Sequence, residues 1–148
     1  MPHFLLNHSQ TGPLIDVYVG LSLPRQQLLQ AANPQVVLPQ PLLVKTLVDT
    51  GASHTSIDLS LVQSLNLVPT GVASLITPST GSVPCDALCY DVGLHIPFPT
   101  GMLWSQPLWV VTGLELHHQG FDVLLGRDVL ANGMLIYDGV HNQFTLAL

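Results

Sequence analysis

A short apolar run that ends on one acidic residue, Asp49, constrains this chain more than any other feature. Residues 42–44 and 47–48 are apolar and predict a buried strand, and the Thr-Gly pair at 50–51 predicts a tight turn directly after it. A lone carboxylate is costly at such a place, because burial disfavours its charged form. A second carboxylate placed against it could share one proton, giving one acid and one base around a single water molecule. The sequence contains this pattern once, so the second Asp49 would come from a second copy of the chain.

Three segments, in a fixed order, resemble one protein family. Residues 47–52, Leu-Val-Asp-Thr-Gly-Ala, resemble the active-site loop of the retropepsin-type aspartic proteases. Residues 123–130, Val-Leu-Leu-Gly-Arg-Asp-Val-Leu, resemble the family's second signature, an apolar pair followed by glycine, often arginine, and a short helix. Residues 13–20 resemble the strand that opens the retroviral fold. Asp-Thr-Gly alone is common by chance, but the ordered pair at this distance is much more specific.

The resemblance implies an all-β, retropepsin-like acid-protease fold. It implies a closed, barrel-like domain over residues 13–148 with a flap hairpin, one or two short helices and an identical partner subunit. Residues 1–12 are polar and predict a loose N-terminal arm. Residues 21–41 contain four prolines where retroviral enzymes have a short turn, so they predict a loop insertion with one helical turn in its middle.

The resemblance also implies roles for the residues of the active-site loop. The two Asp49 carboxyl groups of a homodimer would activate water to hydrolyse peptide bonds, with no metal and no other cofactor. Thr50 would reach across the two-fold axis to the backbone of the partner. Gly51 would allow the backbone to approach the water closely, and Ala52 would form the wall of a side-chain subsite. Without the resemblance, Asp49 is by default a strand-end residue that begins an Asx turn.

A flap and the second signature complete the expected site. Residues 72–77 and 83–96 predict two strands joined by turn chemistry, and in a retropepsin this hairpin closes over the polypeptide substrate. The expected flap and substrate-binding residues are Thr77, Pro78, Ser79, Thr80 and Gly81. In the second signature, Gly126 after Leu125 would keep the crossing with the active-site loop tight, although an ordinary turn glycine is the alternative.

Arg127, also in the second signature, departs from the family pattern. In retroviral relatives the matching arginine pairs with an acidic residue just after Asp-Thr-Gly-Ala, whereas Ser53 and His54 occupy that place here. The remaining candidates are the partner chain and three carboxylates of this chain, Asp58, Asp122 and Asp128. The departure concerns the stability of a dimer and leaves the catalytic pair unaffected.

Composition favours an assembly of copies of this chain. Of its 148 residues, 47% are hydrophobic and only 8% are charged. So apolar a chain has more apolar surface than a small monomer usually buries, which favours a homodimer. A formal net charge of −6 argues against binding to nucleic acid or to anionic membranes. No apolar run is long enough to span a membrane, and no signal-peptide pattern is present. Cys85 and Cys89 predict free thiols, which fit a cytoplasmic protein.

Two alternatives stay open at this stage. The first is a catalytically inactive dimer of the same fold that binds extended peptides, which needs the groove but no ionisable pair. The second is a metal site at His117 and His118. Adjacent strand residues point to opposite faces, and no third ligand lies at a suitable spacing, so a polar loop is the favoured interpretation.

Local signals predict the remaining elements. Apolar spacing predicts a helix over residues 59–65 behind an Asp58 N-cap. Residues 127–132 predict a short helix with Gly133 as its C-cap. Residues 134–137 and 144–146 predict a closing β-hairpin.

Overall fold

The computed structural model describes residues 1–76 and 80–148, and strands dominate these two segments. The strands are β1 (His3–Asn7), β2 (Leu14–Leu21), β3 (Leu42–Val48), β4 (Ser56–Asp58), β5 (Pro69–Leu75), β6 (Cys85–Pro97), β7 (Leu103–Leu114), β8 (Val123–Leu125), β9 (Met134–Asp138) and β10 (Gln143–Ala147). The helices are α1 (Leu23–Ala32), α2 (Leu59–Ser64) and α3 (Arg127–Leu130), with a 3-10 turn over His117–Gln119. None of the helices in the described segments has the length and apolar character needed to cross a membrane.

Six strands close into a barrel. Their order is β2-β3-β8-β4-β7-β6, pairing of β2 with β6 completes the ring, and β5 extends the sheet beyond β6. The pairs β3–β8 and β4–β7 are parallel, whereas the other pairs are antiparallel. Alternate side chains of these strands point inward and are fully buried, among them Val17, Val19, Ile57, Val92 and Val123. The barrel confirms the all-β fold expected from the sequence.

A second sheet joins the two ends of the chain in the order β1-β10-β9. Phe4 pairs in register with Leu146, and its ring stacks on that of Phe98 with centroids 4.4 Å apart, which anchors β1 to the barrel. The expectation of a loose arm over residues 1–12 is therefore wrong for β1. The outer face of this sheet carries exposed apolar side chains from β1 and β9, namely Leu5, Met134 and Ile136.

Helix α1 is longer than the single turn expected within residues 21–41. Its N-cap is Ser22, whose side chain accepts a hydrogen bond from the Arg25 backbone N–H. Pro24 lies in the first turn, where a missing N–H breaks no intrahelical bond, so this proline starts the helix instead of preventing it. The helix ends before Pro34, and an irregular segment then leads to β3. The assignment of residues 21–41 as an insertion stays a prediction.

The other local predictions are confirmed, with one correction at Gly133. Helix α2 begins behind Asp58, and β9 and β10 form the closing hairpin. Helix α3 has Ala131 at its C-cap, so the expected Gly133 cap is wrong. Glycine is required at position 133 for a different reason, because a Cβ there would overlap the carbonyl oxygen of Ala147 in β10.

Candidate active site

The barrel places Asp49 at the end of β3, directly beside the end of β8. Val48 pairs with Leu125, and the Asp49 backbone N–H donates to the Leu125 carbonyl oxygen at 3.0 Å. The Gly51 N–H then donates to Asp49 Oδ1 at 2.7 Å, which closes the turn and fixes the orientation of the half-buried carboxyl group. The Asp49 side chain therefore projects from the end of a paired strand, and its own loop holds it in place.

Gly126 crosses the active-site loop with no space for a side chain. A Cβ at this position would lie 2.5 Å from the carbonyl carbon of His54 and 2.6 Å from its oxygen. The neighbouring Arg127 N–H donates to the Ala52 carbonyl oxygen at 2.9 Å. Backbone therefore packs on backbone between the second signature and the loop that carries Asp49.

The Asp128 carboxyl group binds the end of the active-site loop that is farther from Asp49. Its Oδ2 accepts hydrogen bonds from the Thr55 backbone N–H at 3.0 Å and from Trp109 Nε1 at 3.1 Å. Its Oδ1 accepts from Thr55 Oγ1 at 2.8 Å, and Thr55 Oγ1 itself accepts from the Gly126 N–H at 3.1 Å. This partly buried network ties the loop before β4 to β7 and α3 at the site.

The structure does not pair Arg127 with any of the carboxylates proposed for it. Its side chain is exposed and forms no salt bridge within residues 1–76 and 80–148. Asp128 is occupied by Thr55 and Trp109, whereas Asp58 caps α2 through Ser60 and accepts hydrogen bonds from the loop after β7. Those three intrachain pairings were therefore wrong, and the partner chain stays a prediction for Arg127.

Asp58 is a buried anion held by backbone donors. Only 1% of its surface is exposed, and its Oδ2 accepts from the N–H groups of Leu116 at 2.6 Å and His117 at 2.9 Å. Burial alone would raise the pKa of Asp58, but hydrogen bonds from Ser60, Leu116 and His117 together hold that pKa well below its usual range. The same carboxylate thus anchors α2 and the loop that borders the site.

Asp58→Asn is expected to lower the free energy of unfolding by about 2 kcal/mol at neutral pH, because an amide cannot accept all of these hydrogen bonds. Because the folded-state pKa is below the unfolded value, the stabilisation by Asp58 is present above about pH 4 and is lost progressively at lower pH. Urea unfolding of both proteins across a pH series measures this difference. Asp86→Asn, at an exposed carboxylate, is the control and should change little. An Asp58→Asn effect that did not shrink below pH 4 would contradict this assignment.

Asp49 belongs to the lining of two cavities. The larger has a volume of about 800 Å³, and Glu115, His118 and Phe121 from the loop after β7 form part of its lining. The smaller has a volume of about 320 Å³ and is lined by Ala52, His54, Leu75 and Ile76, among other residues. The two cavities share three lining residues, Asp49 among them, and therefore adjoin each other.

The expected flap is described in part. Thr77, Pro78 and Ser79 lie outside the described residues. Thr80 lines the larger cavity, and Gly81 has a φ of 62°, the left-handed conformation that a residue with a Cβ resists. A residue with a Cβ at position 81 would therefore be strained.

Sequence reasoning missed two groups of residues at the site. The first is the network of Asp128, Thr55 and Trp109, and the second is a hydroxyl pair, Ser56 and Thr112, in the lining of the smaller cavity. Neither has a local signal, because the partners are far apart in the chain. Thr50 is exposed, and its hydroxyl forms no hydrogen bond with a described residue of its own chain.

His117 and His118 do not share a ligand site. His117 Nδ1 lies 3.3 Å from Asp58 Oδ2, whereas His118 lines the larger cavity. Over the part of the chain that the structure describes, no three His, Cys, Asp or Glu residues are grouped so that they could hold a metal ion.

Comparison with solved structures identifies the fold. A retropepsin-like aspartic protease from Rickettsia conorii matches with a TM-score of 0.59 and 18% identity, over 97% of this chain and 89% of that chain. The retroviral protease-like domain of Ddi1 from Leishmania major matches with a TM-score of 0.41 and 14% identity, over 90% of this chain and 87% of that chain. Neither models of protein families nor curated proteins match the sequence. This chain has the retropepsin-like fold, as its motifs predicted.

Proposed function

We propose that this protein is an aspartic endopeptidase that acts as a homodimer, with one Asp49 from each chain in its catalytic pair. The observation that carries the proposal is the position of Asp49 in a retropepsin-like barrel. Its carboxyl group is held at a strand end, and Asp49 lines two adjoining cavities that could hold an extended chain. The described residues of one chain offer no second carboxylate in hydrogen-bond contact with it, so a partner copy supplies the other half of the pair.

The reaction is hydrolysis of a peptide bond by an activated water. One Asp49, ionised, takes a proton from the water as the water oxygen attacks the carbonyl carbon of the substrate. The other, protonated, donates to the carbonyl oxygen and stabilises the negative charge of the tetrahedral intermediate. The C–N bond then breaks, and a proton passes to the leaving nitrogen. The exposed Thr50 hydroxyl, without a partner among the described residues of its own chain, is free to bond to the partner chain.

The rival function is peptide binding without cleavage in the same groove. The intact Asp49-Thr50-Gly51-Ala52 sequence favours the enzyme, because a binder has no need of a carboxyl group held by its own loop. A diverse peptide library, incubated with the protein over a pH series, separates the two. The enzyme should cut the library, and the Asp49→Asn protein should not.

Two further readouts of this experiment follow from a shared pair. Two carboxyl groups in contact retain one proton between them over a range of pH, so the rate should be bell-shaped with its maximum on the acid side of neutral. Activity should also fall faster than linearly when the protein is diluted below the dimer dissociation constant. Binding of peptides without any cleavage, or loss of cleavage to a chelator, would contradict the proposal.

Gly81→Val is expected to lower kcat/KM for peptides by about tenfold or more, because a β-branched residue resists the left-handed angle that the flap uses. No atom lies within 4 Å of a Cβ built at Gly81, so the loss in free energy of unfolding should be limited to the strained backbone angle, about 1–2 kcal/mol. Gly101→Val is the matched control. Gly101 has a φ of 81° and equally open surroundings, but it lies in the turn between β6 and β7, outside the expected flap. Equal losses of activity in the two variants would show that residue 81 has no role in closure.

A further inference from the structure

Two buried hydroxyl groups form part of the lining of the smaller cavity beside Asp49. Ser56 in β4 and Thr112 in β7 are register partners in a parallel pair, and Ser56 Oγ lies 2.7 Å from Thr112 Oγ1. Only 6% and 4% of the surfaces of these residues are exposed. This mutual bond is the one hydrogen bond that either hydroxyl makes to the described residues. Among the described residues, the two hydroxyl groups are therefore hydrogen-bonded only to each other.

Such a pair leaves one hydrogen atom unused. Each hydroxyl can donate one hydrogen bond and accept two. Whichever oxygen donates within the pair, the other hydroxyl keeps a hydrogen that has no acceptor among the described residues. A buried donor without an acceptor is unfavourable, so an acceptor that enters the cavity is stabilised by this hydrogen.

The surroundings of the pair fit a side chain with an apolar stem and a polar end. Leu75, Leu114 and Leu124 supply apolar lining, and the cavity of about 320 Å³ has room for several non-hydrogen atoms. Ser53 and His54 are exposed members of the same lining, with Ser53 Oγ 3.0 Å from His54 Nδ1. The leucines would pack on methylene groups while the hydroxyl pair meets an oxygen.

We propose that this cavity is a subsite for a substrate side chain that bears a carboxamide or carboxylate oxygen, which accepts the free hydrogen of the Ser56–Thr112 pair. The inference rests on the proposed function, because the cavity adjoins Asp49 and so receives a side chain close to the bond that is cut. Glutamine and glutamate satisfy the donor. Methionine, of similar length and shape, leaves it unsatisfied, and sites built around a hydrogen bond reject such analogues strongly.

The test uses sets of peptides that carry glutamine, glutamate or methionine at one position, moved through every position of the peptide in turn. The wild-type protein should favour glutamine over methionine about tenfold or more in kcat/KM at one position. Comparison of glutamine with glutamate shows which acceptor is preferred. The Ser56→Ala and Thr112→Val single variants each retain one hydroxyl hydrogen, so each should keep most of the preference. The double variant has none and should lose it.

Peptides of the same sequences with a reduced scissile amide report binding without cleavage, which separates the two proposals. A tenfold preference that survives in the double variant, or no preference at any position in the wild-type protein, overturns the subsite whether or not the peptides are cut. Selective binding of the glutamine peptide by a protein that cuts nothing overturns proteolysis and supports the subsite. Because the double substitution replaces both partners by apolar groups of similar shape, it should fold normally, and urea unfolding checks that it does.

Discussion

In mixtures of wild-type and Asp49→Asn chains, the proteolytic rate is expected to fall with the square of the wild-type fraction. If two chains share one catalytic pair and associate at random, only dimers with two wild-type chains are active. An equal mixture should then retain about one quarter of the rate of wild-type protein at the same total concentration. The pure Asp49→Asn protein should lose on the order of 10⁴-fold in kcat/KM or more. Its asparagine can still accept the hydrogen bond from the Gly51 N–H, so the loop should remain folded.

The matched control mixes wild-type protein with a Gln27→Ala variant. Gln27 is exposed on α1 and lines neither Asp49 cavity, so its substitution leaves every dimer with two carboxyl groups. The rate should then stay constant at all mixing ratios. A strictly linear fall in the Asp49→Asn mixtures would mean that each chain works alone, and it would refute the shared pair.

Gly126→Ala is expected to lower the free energy of unfolding by about 3 kcal/mol, a decrease of roughly 10 °C in the melting temperature of a chain of this size. The added Cβ would meet the backbone of His54 at 2.5 Å, and backbone cannot move aside as a flexible side chain can. Relief of this overlap would separate α3 from the active-site loop and break the Arg127 N–H bond to Ala52. Activity that depends on Asp49 should fall along with stability.

Gly71→Ala provides the comparison for this substitution. Gly71 lies in β5, and a Cβ there would meet the Cys89 side chain at 3.8 Å, an ordinary contact distance. The melting temperatures of the two alanine variants should therefore differ by nearly the full decrease expected for Gly126→Ala. Equal melting temperatures would show that the crossing at Gly126 can relax without cost.

The sequence predicted those parts of the fold whose causes are local. The apolar run into Asp49 forms β3, and Asp58 caps α2, because neighbouring residues decide both. For α1, the prolines led to a prediction that was too short. Pro24 counted against a helix, although a backbone N–H in the first turn makes no intrahelical hydrogen bond that proline could remove. Strand β1 had no local pattern, because it is held by β10 at the other end of the chain.

The same division applies to the site. Asp49 and Gly126 belong to short motifs and were found from sequence alone, whereas the contacts of Asp128 were not. Its hydrogen-bond partners, Thr55 and Trp109, come from the loop before β4 and from β7, respectively, and only the closed barrel brings them together. For Arg127 the sequence left three intrachain carboxylates and the partner chain open, because no local pattern determines where a long side chain points.

Because the terminal strands pair within one chain, a single chain can fold before it associates with a second copy. In an obligate dimer, dissociation and unfolding are a single event. Here β1 pairs with β10 of its own chain, so both ends of the chain belong to a sheet that forms within a single subunit. Leu5, Met134 and Ile136 remain exposed on the outer face of that sheet and are available to a second copy. A dilute solution would then contain folded single chains, each with one half of the proposed catalytic pair and therefore inactive. Concentrating them should restore activity at the speed of encounter, without any refolding step.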